Sequence, residues 1–404
     1  MHKWLSVIGI GEDGLDGLSA VARSHLQQAE ILVGGTRHLA FLPPDDLRPQ
    51  VPWGSPLSVT LEKILSWRGQ PVCILASGDP MCYGIGATLC RRVPLSEMTI
   101  VPAPSAFSWA CARLGWLLTE VETFSLCGRD PAFLNARLYP GARLLVLSAD
   151  GHTPAQVADQ LTQQGLGAST LVVLERLGGP QERQWQGTAA TWQQPEVGDL
   201  NTLAITIKAS DPTRSFYPPH GAGLPDSAYH HDGQLTKREV RAITLATLAP
   251  LPGQRLWDVG AGCGSISIEW LRSHPRCEAI AIEPHPQRRQ YIADNATALG
   301  TPHLQVVSGR APAALKPLPT PDAIFIGGGV TTPGLLEYCW QVLPEGGRLV
   351  VNGVTVESEQ QILQGYQQWG GDLTRIAIQH PEPVGRFLGW KAMTPITQWA
   401  VVKR

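Results

Sequence analysis

Paired cysteine chemistry is absent from this chain. Eight cysteines stand at 73, 82, 90, 111, 127, 263, 277 and 339, and no two form a Cys-x-x-Cys pair. Several sit inside apolar runs, as Cys73 does in Val72-Cys73-Ile74-Leu75. They read as small buried thiols in a reducing compartment, which excludes a disulfide framework and a thiolate zinc site. No apolar run reaches the length needed to cross a bilayer. The first nine residues show no signal-peptide cleavage pattern and read as a first strand. There is no basic surplus: 32 Lys and Arg stand against 34 Asp and Glu, a net charge of −2, so nothing marks a general nucleic-acid binder. Low-complexity segments and short repeats are missing. So is the Gly-Lys-Ser/Thr of a phosphate loop. The expectation is a cytoplasmic protein without metal, membrane or nucleic-acid partners.

What is present is two rounds of alternating strands and helices. A chain of 404 residues should hold two or three domains. Apolar strands recur at 4–9, 31–33, 72–76, 99–102, 144–147, 170–175 and 203–207, and again at 255–259, 279–282, 304–307, 323–326, 348–351, 375–378 and 398–402. Between the two series lies a stretch with four prolines and no apolar period. The reading is a domain at 1–210 with a seam near 115–125, a linker at 211–228, and a domain at 229–404. Both are α/β, with mainly parallel sheets.

The most informative stretch is Leu256-Trp257-Asp258-Val259-Gly260-Ala261-Gly262-Cys263-Gly264-Ser265, a buried strand, a glycine turn and a helix start. Glycines let backbone come close to a ligand. The next strand ends in Glu283, and an acid at the second strand tip suits the two hydroxyls of a ribose. With a ribose acid but no phosphate cradle, a nucleoside without phosphates is expected, of which S-adenosylmethionine is the commonest. Pro321-Asp322-Ala323-Ile324-Phe325-Ile326-Gly327-Gly328-Gly329 reads as a strand opening into the place where substrate meets that cofactor. Residues 236–241 start a helix, with Thr236 as N-cap and Glu239 three residues on, the pattern of a capping box. The last two strands are expected to form a hairpin across 381–395.

Residues 236–241, 260–269, Glu283, Gly309-Arg310-Ala311 and 322–329 together resemble the decarboxylating precorrin methyltransferases of vitamin B12 biosynthesis, over most of 229–404. The resemblance implies a Rossmann-like class I methyltransferase with a seven-stranded sheet. It also implies cofactor contacts at Thr236, Gly260, Ala261, Gly262, Cys263, Gly264, Glu283 and Ala311. Arg310 departs from the family, which often carries an acid there, and this turns the side chain toward a substrate carboxylate instead.

In the N-terminal half, Gly9-Ile10-Gly11-Glu12-Asp13-Gly14 matches G-x-G-x-x-G. A dinucleotide site would need an acid at the end of the second strand, but Glu30 precedes that strand. A structural glycine turn is the better reading. Ala76-Ser77-Gly78-Asp79-Pro80-Met81-Cys82-Tyr83-Gly84, Pro102-Ala103-Pro104-Ser105-Ala106-Phe107 and Val33-Gly34-Gly35-Thr36-Arg37-His38 resemble, with that turn, the tetrapyrrole methylase family over about 1–210. The resemblance implies a two-lobed class III fold that folds S-adenosylmethionine into its cleft, with contacts at Asp79, Cys82, Ser105 and Ala106. Where the family has Pro-Gly-Asp, this chain has Glu12-Asp13-Gly14, which leaves Asp13 or Asp16 to replace the usual acid.

The combination is similar to the bifunctional C5,C15-methyltransferases that decarboxylate precorrin-6B to precorrin-8X, with two S-adenosylmethionine sites and a homo-oligomeric state implied. Open alternatives are the cobalt-precorrin substrate, another small molecule, a non-catalytic tetrapyrrole carrier and a nucleotide-dependent oxidoreductase. Methyl transfer is an in-line displacement that needs alignment more than a strong base. Decarboxylation needs an electron sink, available in the macrocycle, and a proton donor, for which Asp322 is a candidate beside its plain reading as a loop-fixing acid. A polycarboxylate substrate calls for cations. The candidates are Arg37, His38 and Arg129 in the first half and Lys237, Arg241, Arg310, Arg386 and Lys391 in the second. His230-His231 reads as a pair of linker histidines, and Trp257, Trp270 and Trp340 as core.

Overall fold

The computed structural model describes residues 3–193, 197–211 and 221–404. The chain divides into two compact units, one of Met1–Pro131 with Tyr139–Ser215, the other of Ala132–Leu138 with Phe216–Arg404. No helix among the described residues is long and apolar enough to cross a membrane.

The first unit carries two five-stranded sheets. In the first, β1 (Leu5–Ile10), β2 (Ile31–Gly34), β3 (Gln50–Pro52), β4 (Val72–Ser77) and β5 (Met98–Val101) lie in the order β3-β2-β4-β1-β5, all parallel. The central strands β1 and β4 are apolar nearly throughout because helices cover both faces of the sheet. Gly9 lies where three strand tips converge: a Cβ there would fall 2.0 Å from the Gly78 carbonyl oxygen and 2.5 Å from the Ala103 nitrogen. The first glycine of G-x-G-x-x-G therefore serves backbone packing, in line with the structural reading of that turn.

The second sheet of this unit corrects the expectation of mainly parallel pairing. Its strands, β6 (Glu122–Ser125), β7 (Arg143–Leu147), β8 (Thr170–Glu175), β9 (Arg183–Thr188) and β10 (Asn201–Thr206), are ordered β6-β7-β10-β8-β9. Only β6 and β7 are parallel. A short connection after β8 permits a hairpin to β9, and β10 runs back between β7 and β8. The helix Ala106–Leu114 precedes the expected seam but packs on this sheet through Phe107, Ala110 and Cys111.

The second unit holds β11 (Arg255–Val259), β12 (Glu278–Ile282), β13 (Gln305–Val307), β14 (Ala323–Ile326), β15 (Arg348–Gly353), β16 (Asp372–Ile376), β17 (Gln379–Val384), β18 (Phe387–Ala392) and β19 (Ile396–Val402). Seven of them form one sheet, β13-β12-β11-β14-β15-β19-β16, parallel up to β15 and antiparallel beyond. The closing pair is β16 with β19, and the stretch between them forms a separate two-stranded ribbon, β17 with β18. The expected hairpin thus carries a second hairpin at its tip.

The expected linker splits in two. Residues 212–220 lie outside the described residues, whereas 221–228 pack on the second unit, with Gly223 and Leu224 buried. Leu224 is fully buried, and the Gly223 and Leu224 N–H groups donate to Glu269 at 2.6 and 3.1 Å. Glu269 also accepts from the Tyr229 hydroxyl at 2.9 Å and from Arg241 Nε at 2.5 Å. The rest of the Arg241 guanidinium donates to the Leu224 and Thr236 carbonyls and to Asp226. The expected capping box does not form. The helix runs Arg238–Leu248 with Lys237, one residue later than expected, at its N-cap and no side-chain cap, while Arg241 donates to the Thr236 backbone carbonyl.

Breaking a buried ion pair leaves an uncompensated charge, typically at a cost of about 3–5 kcal/mol. Arg241→Met in the full-length chain should destabilise the second unit by that order, read from its denaturant midpoint. A loss below about 1 kcal/mol would mean that water reaches Glu269 and the burial described here is wrong.

Candidate functional sites

A cleft of about 550 Å³ opens at the C-terminal ends of β1 and β4 and is closed on the other side by the tips of β8 and β10. Its size is that of a small-molecule site. Asp79, Cys82, Ser105 and Ala106 all line it. Ser105 caps the helix Ala106–Leu114 by accepting from the Ser108 N–H at 3.1 Å, so Ala106 opens the first turn beside the cleft. Asp79 accepts from the Met81 N–H at 2.8 Å, which fixes its loop. Burial and the Asp79 carboxylate push the Cys82 thiol up, so it lines the wall as a neutral thiol.

Arg37 lines the same cleft, donating to Glu12, to His38 Nε2 at 2.9 Å and to Ser77 Oγ at 3.1 Å. His38 is corrected as a cation: burial and the adjacent guanidinium push its pKa down to about 4, so the ring is neutral and can accept from Arg37. Arg129 is not a lining residue; it lies over the rings of Tyr83 and Phe124 and donates to the Ser125 carbonyl. Of the first-loop acids, neither Asp13 nor Asp16 lines the cleft, whereas Glu12 does. Sequence reasoning missed Glu12 and Arg176, although Glu12 lies two residues beyond β1 and Arg176 directly follows β8, at strand ends where ligands of α/β sheets sit. Glu30 precedes β2 and is not among the lining residues.

A second cleft, about 960 Å³, lies at the C-terminal ends of β11, β12 and β14. Thr236, Gly260, Ala261, Gly262, Glu283 and Ala311 line it together. Gly262 adopts a φ of +60°, and its N–H donates to Glu283 Oε2 at 2.9 Å. The other Glu283 oxygen accepts from the His285 N–H at 3.0 Å. The carboxylate is thus buried and aimed, and each oxygen keeps a second lone pair for a diol. Beneath it, Asp258 accepts from Ser267 N and Oγ and is pushed up to about 6 by burial, with Glu283 adding to the rise. Cys263 and Gly264 are not among the residues that line this cleft. Cys263 is buried in the core, and Gly264 packs under Ile292 as the N-cap of the helix Ser265–Ser273.

Lys237, Arg310 and Lys391 line this cleft, and Lys391 pairs with Glu382 at 2.8 Å. Arg241 and Arg386 do not. Arg241 is wholly consumed by the buried network, and Arg386 lies outside the lining, over the Phe387 ring near the ribbon tip. Asp322 does not line the cleft either. It sits at the entry of β14, accepts from the Arg255 N–H at 2.7 Å, and exchanges backbone bonds with Arg255 and Arg348. The cleft is at the opposite end, five residues on, or about 16 Å of strand. Asp322 is a loop-fixing acid. The Trp257 and Trp270 side chains are core, and Trp340 stacks on Trp369 at 4.9 Å. The His230 backbone is clamped by Asn295, and no described cluster of His, Cys, Asp and Glu could hold a metal.

Two families match these two regions. The tetrapyrrole (corrin/porphyrin) methylases match residues 5–193, and the precorrin methyltransferase domain matches 227–403. A Sinorhizobium protein named as a decarboxylating precorrin-6Y C(5,15)-methyltransferase is 46% identical over 403 residues, covering 100% of this chain and 97% of that protein. The chain belongs to the decarboxylating precorrin-6Y C(5,15)-methyltransferase family. A Mycobacterium tuberculosis protein of the same name is 44% identical over 401 residues, covering 98% of this chain and 99% of its own. The crystal structure of the C-terminal domain of the Rhodobacter capsulatus precorrin-6Y C5,15-methyltransferase is 45% identical and covers 46% of this chain and 100% of that one, with a TM-score of 0.44. Methyltransferases of this family use S-adenosylmethionine.

Two substitutions test the second cleft. Glu283→Ala removes charge-assisted bonds worth roughly 1.5–3 kcal/mol each. S-adenosylmethionine binding there should weaken at least tenfold by calorimetry while the first cleft keeps its affinity. Asp322→Asn should lower stability yet leave CO2 release per folded molecule within twofold. A selective loss of CO2 release in Asp322→Asn would restore that residue as proton donor.

Proposed function

We propose that this enzyme adds two methyl groups from S-adenosylmethionine to precorrin-6B, at C5 and C15, and releases the C12 acetate carboxylate as CO2, giving precorrin-8X on the way to cobalamin. The observation that carries this is the presence, in one chain, of two separate clefts, each walled by loops at the C-terminal tips of strands. Each is large enough for a nucleoside ligand. S-adenosylmethionine fits the second cleft on a structural ground: the buried Glu283 carboxylate at the tip of β12 is held by the Gly262 and His285 N–H groups, and each oxygen keeps a lone pair for a ribose diol. Bound there, it supplies a methyl carbon already activated by a sulfonium.

The protein's part is alignment and exclusion of water. In the second cleft Glu283 holds the ribose end, the turn at Gly260–Gly262 bounds the cofactor, and Arg310, Lys237 and Lys391 meet substrate carboxylates. In the first cleft Asp79, Cys82, Ser105 and Ala106 form the cofactor wall. We assign the C5 methyl to the first cleft and C15 methylation with decarboxylation to the second. When the carboxylate of the acetate leaves as CO2, the electron pair of the broken C–C bond passes into the conjugated macrocycle, and a proton then bonds to the remaining methylene carbon, leaving a methyl group.

Asp79→Arg should block the first cleft with a long cation. Gly262→Arg should block the second, since Gly262 is at positive φ and a Cβ there lies 3.0 Å from the Gln234 carbonyl oxygen. With precorrin-6B, the first variant should add one methyl and release CO2. The second should add one methyl and keep the acetate. Product mass separates the two. Normal CO2 release by folded Gly262→Arg would place decarboxylation elsewhere.

A further inference from the structure

The first cleft holds a charge cluster apart from the residues assigned above to its cofactor wall. Glu12, on the loop after β1, is shared between Arg37 of the first sheet's side and Arg176 of the second sheet's side. All three line the cleft. The Glu12 side chain is only 9% exposed, while those of Arg37 and Arg176 are 32% and 44% exposed. Two cations face the opening with one recessed anion between them, which leaves a net positive charge.

Each member is fixed in place. Gly179 approaches Glu12 so closely that a Cβ on it would lie 2.4 Å from Glu12 Cβ, so the carboxylate cannot swing away on that side. Arg176 is one of only three non-glycine residues with positive φ among those described, at +47°. A side chain held in that costly conformation is a mark of a functional site. Its N–H donates to the Leu200 carbonyl at 3.1 Å, which anchors the turn. Arg37 spends three of its five N–H donors on Glu12, the neutral His38 and Ser77, and keeps two. The cleft's other acids keep their charge but are fixed on their own loops, Asp79 by the Met81 N–H at 2.8 Å and Asp199 by the Gly151 N–H at 3.0 Å, and neither is paired with Arg37 or Arg176.

From this geometry we infer that Arg37 and Arg176, held at a set spacing by Glu12, form a carboxylate-reading pair that seats one acid side chain of the macrocycle and fixes its orientation in the first cleft. The inference rests on that cleft being a methyl-transfer site. Without Glu12 two guanidinium groups would repel each other. With it they present a preformed fork to a third carboxylate. Glu12 is a positioning residue, and the two arginines touch the substrate.

The test uses the full-length enzyme, precorrin-6B and mass-resolved methyl addition, with S-adenosylhomocysteine binding as a control on the cofactor site. Arg37→Met and Arg176→Met should each raise the KM for the tetrapyrrole about tenfold at nearly unchanged kcat for the first-cleft methyl, and leave the KM for S-adenosylmethionine alone. Arg176→Lys keeps the charge but loses the fork and should fall between. Glu12→Gln should raise the tetrapyrrole KM severalfold, with partial rescue by Glu12→Asp. A folded Arg37→Met/Arg176→Met double variant that binds S-adenosylhomocysteine normally and shows an unchanged tetrapyrrole KM would overturn the pair. Failure of the unmodified first cleft to bind S-adenosylhomocysteine would instead overturn the reading of the cleft beneath it.

Discussion

A buried arginine organises one wall of the cleft in the second unit. Arg241 has no exposed surface, and its guanidinium is shared among Glu269, Asp226 and the carbonyls of Leu224 and Thr236. A buried pair of this kind is often no more stable than an apolar replacement of the same shape, so its value here lies in geometry. It ties a segment with little regular structure, 221–236, to the helices Arg238–Leu248 and Ser265–Ser273. Residues 233–236 of that segment wall the second cleft. Asn295 reinforces the tie by bridging the His230 backbone to the Cys263 carbonyl of the glycine turn. Wall and turn are therefore held by one connected set of buried bonds.

Above that frame, the second cleft depends on strand polarity. Parallel strands place every C-terminal tip on one edge, where the turn after β11, the acid after β12 and the glycines after β14 meet. The same logic separates two acids that look alike on paper. Glu283 follows a strand and faces the cleft; Asp322 precedes one and fastens the far edge. Beneath the turn, the core residue Asp258 is pushed up to about 6 by burial although it accepts from Ser267 N and Oγ.

In the first unit a mixed sheet opposes a parallel one, and the cleft takes residues from both. This is why cations on separate loops, Arg37 and Arg176, can share one carboxylate although 139 positions part them in the chain.

The sequence by itself determined the two α/β halves, the glycine turns and most of the strand series, though not β3, β6, β9, β17 and β18. Glu283 and the turn at Gly260–Gly262 were legible because a motif spanning one strand tip fixes its own backbone, and a strand tip has a known place in a parallel sheet; Asp79, Cys82, Ser105, Ala106, Thr236 and Ala311, which also line the clefts, came from the family resemblance. Only the tertiary structure decided the rest. Whether a charged side chain meets solvent, substrate or a buried partner depends on residues far away in sequence, as Arg241 finds Glu269 and Arg129 finds Tyr83. Cys263 and Gly264 share the motif with Gly262 but turn inward, because the chain reverses into a helix at that point. The inserted ribbon of β17 and β18, the antiparallel order of the second sheet and the packing of 221–228 likewise follow from long-range pairing, on which local periodicity is silent.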